Sequence, residues 1–580
     1  MKITMNPRIS LNGRWHFQID PQDIGLRDQW YLDAAISASW KTIDVPGAFE
    51  QHGIDGDEHV GWYRRTFNRS QLGDVNCPFL TLSGIEGSAR VWLNDTDLIN
   101  DLAQCARYTV DVSPYLRDGE NVLTVRVRDH GAPGGIMTGA WIADADRFVD
   151  PFDGEYVKLR ARPSVDWVRD AVVYEVYLRS FSPEGTFAGL EKRLDELKAL
   201  GVTVVWLMPI HPIGKLKRKG TLGSPYAIRD YYGINPEFGT LDDFRRLLDA
   251  AHARGLRLII DLVANHTSWD NALIEEHPEW YRRDEHGRPV SPMDWTDVAQ
   301  LDYADEELRR YMIEMMLYWV RDVGIDGFRC DVAGMVPNDF WIEARPKLDA
   351  VKEVIMIAED DNPLQHAGPF DITYDWWTYQ AMGRLAAGRL NPWAIQTILV
   401  NERLDFPAGS LRMRFSDNHD LCAWHKPGMT RYGPAAARAA AVLTFALPGV
   451  PLIYNGQEIG NRTPLPLFEK LPICWSSDNG GIRELFTRLC RLRAENTAFR
   501  RGKLDYFLGY PPSGVLCFGR ATGKNRLIVA VNCSNQSQHL EWKRIRVDRP
   551  RPLLADPNVP DGDVAGITLP PLGYWIGQLG

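Results

Sequence analysis

Three short stretches end apolar runs with acidic residues: DLVANH (residues 261–266), GFRCDVA (residues 327–333) and IAEDD (residues 357–361). A fourth stretch, FSDNHD (residues 415–420), repeats the pattern. Apolar runs of this kind are typical of strands buried on both faces, where an ionised side chain is unstable without a partner. The carboxylates are therefore expected where the strands emerge. In a closed parallel barrel this is the C-terminal rim, which carries catalytic residues.

An alternation of strands and amphipathic helices begins near residue 165 and predicts a (β/α)8 TIM barrel. An open doubly wound sheet is the alternative, but it would need a glycine-rich phosphate loop after an early strand, and the sequence has none. The segment after the third strand lacks barrel periodicity and predicts a short insertion over the site, residues 267–301. The expected strands are residues 172–177, 202–208, 256–263, 327–332, 354–358, 370–374, 411–415 and 450–454; the expected helices include residues 190–200, 241–254, 306–322, 435–447 and 481–495.

Two β regions flank the predicted barrel. Short alternating runs separated by Gly, Asp, Asn and Pro fill residues 1–160 and predict a β-sandwich of the jelly-roll kind. Short strands near the end of the chain predict a second, smaller β-sandwich. The expected multidomain fold is therefore a sandwich over residues 1–160, the barrel over 161–500 and a C-terminal β domain over 501–580.

Composition narrows the class of partner. The 580 residues carry a net charge of −10, with 66 basic and 76 acidic residues, which argues against nucleic acid or an anionic membrane as the main partner. The N-terminal stretch has no apolar signal region and the sequence has no long apolar run, so we expect a cytoplasmic protein without a membrane span. One dense basic run, KLKRK (residues 215–219), predicts a solvated loop tip, with a clamp for an anionic group as the alternative.

The acidic residues at the ends of the fourth and fifth strands, Asp331 and Glu359, predict glycoside hydrolysis. Neighbouring strands bring such side chains close together, and retaining glycosidases hold their two carboxyl groups about 5–5.5 Å apart. Arg329 lies two residues before Asp331, so both side chains point to the same side of the strand. A fixed cation lowers the pKa of a neighbouring carboxyl group. This predicts Asp331 as the nucleophile and Glu359 as the proton donor.

These stretches resemble the sequence regions of the α-amylase superfamily, the family-thirteen glycoside hydrolases. GVPLIYNGQE (residues 449–458) is similar to the family's eighth strand, and SPYAIRDYYGINPEFGT (residues 224–240) to its segment with a stacking Tyr. The resemblance implies the same roles for Asp331 and Glu359, with Asp420 as a third catalytic carboxylate that grips sugar hydroxyls. We expect the substrate to be bound by Tyr226, Asp230, Asp261, His266, Arg329 and His419.

The family pattern is less complete for calcium. Asn265 matches a calcium-ligand position of many α-amylases, but the Lys–His pair that follows the nucleophile in those enzymes is replaced by Gly334 and Met335. We therefore expect no required cofactor, with calcium at Asn265 as the alternative.

The N-terminal region resembles the sugar-binding sandwich of β-galactosidase-type, family-two enzymes, through LNGRWHF (residues 11–17), WYRRTF (residues 62–67) and ARVWLND (residues 89–95). We expect this region to have a structural role first, because fold alone does not imply function. It would pack on the barrel or form a homodimer. Glycan binding is the alternative.

The predicted function is retaining hydrolysis of α-glucosidic bonds in α-glucans or oligosaccharides through a covalent glucosyl–Asp331 intermediate. A transglycosylase would use the same site and form the same intermediate, so the sequence leaves that alternative open. A second alternative is a non-catalytic carbohydrate-binding protein, which the retention of all three acidic residues disfavours.

Overall fold

The computed structural model describes residues 8–32, 40–48, 60–73, 78–86, 88–103, 107–128, 135–144, 159–386, 392–476, 478, 480–505, 514–545, 547–560 and 565–580. The chain divides into two compact units. One consists of Met1–Gly154 with Arg389–Asp405, and the other of Glu155–Gly388 with Phe406–Gly580.

The N-terminal unit is built from two antiparallel sheets, as the predicted β-sandwich requires. One sheet has the strand order Lys41–Val45, Gly13–Ile19, Val60–Asn68, Glu120–Arg128, Ser88–Leu93 and Thr96–Ala103. The other has the order Arg8–Ser10, Gly135–Asp144, Pro78–Glu86 and Arg107–Asp111, with Gly47–Ala48 paired to Gly135–Asp144. The helix Trp393–Asp405, which lies far along the chain, contacts the strand Arg107–Asp111.

The second unit contains a closed barrel of eight parallel strands in chain order, which confirms the fold prediction. Each predicted strand is present within one or two residues of its expected bounds. Their interior faces carry mostly branched and aromatic apolar side chains that form one buried cluster. The strands are Val173–Val176, Val204–Leu207, Arg257–Leu262, Gly327–Cys330, Ile355–Ala358, Ile372–Tyr374, Leu411–Arg414 and Val450–Tyr454, called barrel strands 1 to 8 below.

The helices between the strands follow the predicted pattern with two local differences. The helix predicted at residues 190–200 is interrupted at Arg193, whose guanidinium packs over the Trp475 ring. The helix predicted at residues 306–322 ends in a wider π-helical turn, Tyr318–Val323. The main helices are Phe187–Glu191, Leu194–Leu200, Leu241–Ala253, Glu306–Leu317, Asn338–Asp349, Trp376–Ala386, Pro434–Ala446 and Ile482–Glu495.

The insertion after barrel strand 3 is closed at its base by a short antiparallel pair, His266–Ser268 with Val298–Gln300. Between these strands lie the short helices Leu273–Glu276 and Pro278–Trp280.

The basic run KLKRK forms a turn in which residues 215–217 are exposed and residues 218 and 219 are half-buried, and two of its cations contact this insertion. The Lys219 ammonium lies 2.8 Å from Asp297 Oδ1, and the Lys217 ammonium lies 3.5 Å from the centre of the Trp269 ring. Both cations therefore have partners within the protein.

The C-terminal residues form a small β domain of two sheets. Five strands follow the order Lys503–Asp505, Val515–Thr522, Asn525–Asn532, Tyr574–Leu579 and Arg551–Ala555, and two more, Gln538–Glu541 and Gly566–Leu569, form a pair. Apolar side chains from both sheets share one buried cluster, so the sheets pack face to face. Across the described part of the chain, no helix combines the length and the apolar character needed to cross a membrane.

Gly327 begins barrel strand 4 and fixes the direction in which that strand enters the barrel. Its φ is +142°, and an added Cβ would lie 2.0 Å from the Ile355 carbonyl oxygen on barrel strand 5. We predict that Gly327→Ala lowers stability by about 3 kcal/mol, because backbone strain and a steric clash add together. Gly255→Ala is the matched control, since Gly255 also has a positive φ (+70°) but only Lys198 Nζ, at 3.7 Å, near its added Cβ. Thermal midpoints measured for both variants should fall further for Gly327→Ala; equal losses would contradict the steric argument.

Candidate active site

The candidate site is built at the C-terminal ends of barrel strands 3, 4 and 5. Asp261 and Arg329 occupy paired positions on strands 3 and 4, so their side chains leave the sheet side by side. The strand ladder continues past strand 4, because Asp331 N donates to the Leu262 carbonyl and Glu359 N donates to the Cys330 carbonyl. Asp331 and Glu359 are thereby held by the barrel backbone itself.

Arg329 contacts all three of these carboxylates. Its Nη1 donates to Asp261 Oδ1 at 3.0 Å and to Asp331 Oδ1 at 3.0 Å, and its Nη2 lies 2.8 Å from Glu359 Oε2. Its Nε donates to the Tyr374 hydroxyl at 3.3 Å. The guanidinium is fully buried, so this set of partners neutralises a charge that the barrel interior could not hold alone.

Glu359 has a second fixed contact, which requires an unusual backbone. Its Oε2 accepts a hydrogen bond of 2.8 Å from the backbone N–H of Val332. Val332 has φ +36° and ψ +49°, the left-handed region that a β-branched residue rarely adopts. Strain of this kind is concentrated at functional sites, and here it points the Val332 N–H at the Glu359 carboxylate.

A second group of contacts connects barrel strands 1 and 3 with the segments that follow strands 2 and 7. The Tyr226 hydroxyl donates to Asp261 Oδ2 at 3.3 Å and lies 2.8 Å from His419 Nε2. On its other side, His419 Nδ1 lies 2.5 Å from Glu175 Oε1, and Glu175 belongs to barrel strand 1. Asp420 Oδ2 lies 3.4 Å from His419 Nε2, and the Asp420 side chain is 39% exposed, so this carboxylate borders open space.

Burial raises the pKa of the two predicted catalytic carboxyl groups. The pKa of Asp331 is raised by burial to about 6, against the opposing effect of Arg329. The pKa of Glu359 is raised by burial to about 7, also against Arg329. The sequence shows the cation beside Asp331 alone and predicts a lowered pKa there. That expectation is wrong, because Arg329 lies equally close to Glu359 and burial outweighs its effect at both groups.

The remaining predicted residues fall into two sets. His266 is buried and lies edge-on to the Trp295 ring, and burial lowers its pKa to about 4, so the imidazole is neutral near pH 7. Asp230 is exposed and accepts a hydrogen bond from Tyr232 N. The contacts that join the other residues do not include Asp230, so its role in substrate binding stays a prediction.

Asn265, the position matched to a calcium ligand, lies beside His266. The Asn265 side-chain amide donates to His266 Nδ1 at 3.2 Å. Within the described ranges, no group of three or more His, Cys, Asp or Glu side chains is arranged to hold a metal ion. The expectation of no required cofactor, with calcium at Asn265 as the alternative, stays a prediction.

Two residues of the site were missed in the sequence, Glu175 and Tyr374. Glu175 interrupts the apolar run VVYEVY (residues 172–177), and a carboxylate in a strand buried on both faces needs a partner. The signal was therefore present at residue 175. The contact from Tyr374 to Arg329 carries no such signal, because an aromatic residue in a buried strand is ordinary.

Comparison with known proteins agrees with this architecture. The model of the α-amylase catalytic domain matches residues 145–297 and 292–374, and that of the glycosyl hydrolase 2 galactose-binding domain-like family matches residues 56–134. An α-amylase from Haloarcula japonica is 29% identical over 526 residues, covering 83% of this chain and 77% of that protein.

Two crystal structures are also similar to this chain. An α-amylase from Lactobacillus plantarum shares 32% identity with a TM-score of 0.62, covering 71% of this chain and 99% of that one. A maltogenic α-amylase from Thermotoga neapolitana shares 34% identity with a TM-score of 0.62, covering 71% and 97%. Fold and site define a barrel enzyme of the glycoside hydrolase class. The chain belongs to the α-amylase family.

Arg329 leads to a pH-dependent stability prediction. Without the Arg329 cation, burial would raise the pKa of the neighbouring carboxyl groups further. The folded state would therefore lose stability as pH rises, because these carboxyl groups would then ionise without a counter-ion. Arg329→Met should cost about 3–5 kcal/mol near pH 8 and much less near pH 5, where these groups can hold protons. Thermal midpoints at the two pH values measure this difference.

The matched control is Arg520→Met. Arg520 is also buried, but it donates to the main-chain carbonyls of Ala446, Phe499 and Gly502. Its removal should destabilise the protein without a loss that grows from pH 5 to pH 8. A loss for Arg329→Met that is the same at both pH values would reject the shared-cation account.

Proposed function

We propose that this enzyme is a retaining hydrolase of α-glucosidic bonds in α-glucans or in malto- and isomalto-oligosaccharides, acting by double displacement through a covalent glucosyl–Asp331 intermediate. The observation that carries the proposal is the pair of contacts from one guanidinium to Asp331 and Glu359, at 3.0 and 2.8 Å. Two carboxylates that share one cation lie close together, which favours the short spacing of retaining enzymes, about 5–5.5 Å, over the wider spacing of inverting ones. The similarity to proteins named α-amylases supports α-glucans as the substrate class.

In the first step, Asp331 attacks the anomeric carbon while Glu359 protonates the glycosidic oxygen. Arg329 holds Asp331 Oδ1, which leaves Oδ2 to form the bond to carbon. Arg329 and Val332 N hold Glu359 Oε2, which leaves Oε1 to carry the proton. The bond from the anomeric carbon to the leaving oxygen breaks, and the leaving sugar departs as an alcohol.

In the second step, Glu359 acts as the base. It removes a proton from water, whose oxygen attacks the anomeric carbon and breaks the ester bond to Asp331. The carboxylate of Asp331 is regenerated and Glu359 is again protonated. Two displacements at the same carbon retain its configuration.

The other residues bind the sugar. Asp420, partly exposed beside His419, accepts hydrogen bonds from sugar hydroxyls, and Tyr226 offers an aromatic face for apolar contact with the ring. Neutral His266 can both donate and accept a hydrogen bond at the edge of the site. If a sugar hydroxyl takes the place of water in the second step, the same site performs transglycosylation. We propose hydrolysis as the principal outcome, because water, unlike an acceptor sugar, needs no binding site of its own.

The nucleophile is tested by two aspartates that flank the same strand. Asp331→Asn should lower turnover of maltooligosaccharides by at least about 10⁴-fold, because the amide cannot form the intermediate, while substrate binding is largely kept. Asp326→Asn is the control, because Asp326 precedes barrel strand 4, is buried and contacts His252 and Lys352 at the opposite end. It should lose stability but keep kcat within a few-fold. Near-normal turnover by Asp331→Asn would reject the mechanism.

The pH profile tests the proton donor. The value of kcat/KM should rise as pH increases through about 6, where Asp331 ionises, and fall above about 7, where Glu359 loses its proton. Glu359→Gln should remove the alkaline limb and slow natural oligosaccharides far more than glucosides with an activated leaving group, which need little protonation. Equal losses on both kinds of substrate would show that Glu359 is not the acid.

A further inference from the structure

Barrel strand 1 contributes a buried carboxylate that the mechanism above does not use. Glu175 is completely buried, and His419 beside it is 2% exposed. Glu175 Oε1 lies 2.5 Å from His419 Nδ1, while Glu175 Oε2 has no hydrogen-bond partner within the described part of the protein. An uncompensated carboxylate would be costly here, so the contact with His419 must provide its stabilisation.

The hydrogen atoms around His419 determine its charge. The Tyr226 hydroxyl has a single hydrogen, which it donates to Asp261 Oδ2. When the hydroxyl donates this hydrogen to Asp261, its 2.8 Å contact with His419 Nε2 is made by a hydrogen on Nε2. The 2.5 Å contact on the other side places a second hydrogen between Nδ1 and Glu175. With both ring nitrogens donating, the imidazole is a cation and Glu175 is its counter-ion.

We propose that Glu175 is a positioning residue that keeps His419 protonated, with its Nε2–H directed at Tyr226 and Asp420. The inference rests on the proposed function, because it assigns Glu175 a part in arranging the sugar-binding side of that site. Glu175 touches no reacting atom itself. It acts through His419, which holds the Tyr226 hydroxyl in place and lies 3.4 Å from the Asp420 carboxylate.

The charges around His419 agree with a cationic imidazole. Burial lowers the pKa of His419, but the carboxylates of Asp420 and Glu175 raise it to about 9 overall, against Arg329. The Trp206 ring, edge-on to the imidazole, adds no charge. The titratable or charged groups that face His419 are Glu175, Tyr226, Asp261, Arg329 and Asp420. Glu175 is also faced by groups from other elements, namely Tyr374, Asp417, Cys422 and Tyr454.

The test is Glu175→Gln, which keeps the shape of the side chain but removes the counter-ion. Proton NMR of the wild-type protein should show a far-downfield signal from the short Nδ1–H···O hydrogen bond, absent in Glu175→Gln and in His419→Gln. With maltooligosaccharides, kcat should fall at least about tenfold at the wild-type optimum, as expected for the loss of one charge-assisted hydrogen bond. The loss should grow as pH rises from 6 to 8, because His419 then loses its proton.

The matched control is Glu458→Gln. Glu458 is equally buried and accepts a 2.7 Å hydrogen bond from the hydroxyl of Tyr174, the neighbour of Glu175 in the chain. This variant should keep the downfield signal and the wild-type pH profile, whatever its stability. The proposal is overturned if Glu175→Gln keeps the signal, or if its activity loss is independent of pH.

The two proposals can fail separately. The NMR signal depends on Glu175 and His419 and needs no substrate. An active Asp331→Asn variant would reject the proposed function, whereas an unchanged signal in Glu175→Gln would reject only the role of Glu175.

Discussion

The buried guanidinium of Arg329 is the constraint on which the rest of the site depends. A cation enclosed in a barrel filled by apolar side chains is stable only if fixed anions surround it. Asp261 and Asp331 provide those anions at 3.0 Å each, and the Glu359 carboxyl group adds an oxygen at 2.8 Å, so that three neighbouring strands surround the guanidinium. Because strand pairing sets the spacing of these residues, the barrel backbone determines the separation of the two proposed catalytic acids.

The same burial sets the pKa of both carboxyl groups beside this cation. Burial raises the pKa of both, to about 6 for Asp331 and about 7 for Glu359. Raised pKa values of this kind let one carboxyl group hold a proton near neutral pH while the other is ionised. The second group of contacts, through Tyr226 and His419, meets the first at Asp261, so the proposed sugar-binding and bond-breaking sides share one carboxylate.

Much of this could be predicted from the sequence. Most barrel strands could be located because parallel strands buried on both faces are apolar runs, and acidic residues can end such runs only at the rim. Strand 7, LRMR, is not such a run, and its place follows from the FSDNHD stretch that comes after it. Other features depend on tertiary contacts that no local pattern encodes. The sequence shows Arg329 beside Asp331, but only the pairing of strands 4 and 5 brings it to Glu359. The helix Trp393–Asp405 follows barrel strand 6 in the chain but belongs to the N-terminal unit, and no local pattern shows which unit a helix packs in. The charge of Glu175 is visible in the run VVYEVY, but its partner His419 lies 244 residues further along the chain.

The most direct test of the account is to trap the intermediate. The wild-type enzyme would be incubated with a fluorinated α-glucosyl donor that bears a good leaving group, which slows the second displacement more than the first, and then digested for peptide mass spectrometry. The account predicts one added glucosyl unit, carried by Asp331. A glucosyl unit found on Glu359 or Asp420, or a first product with inverted anomeric configuration, would contradict it.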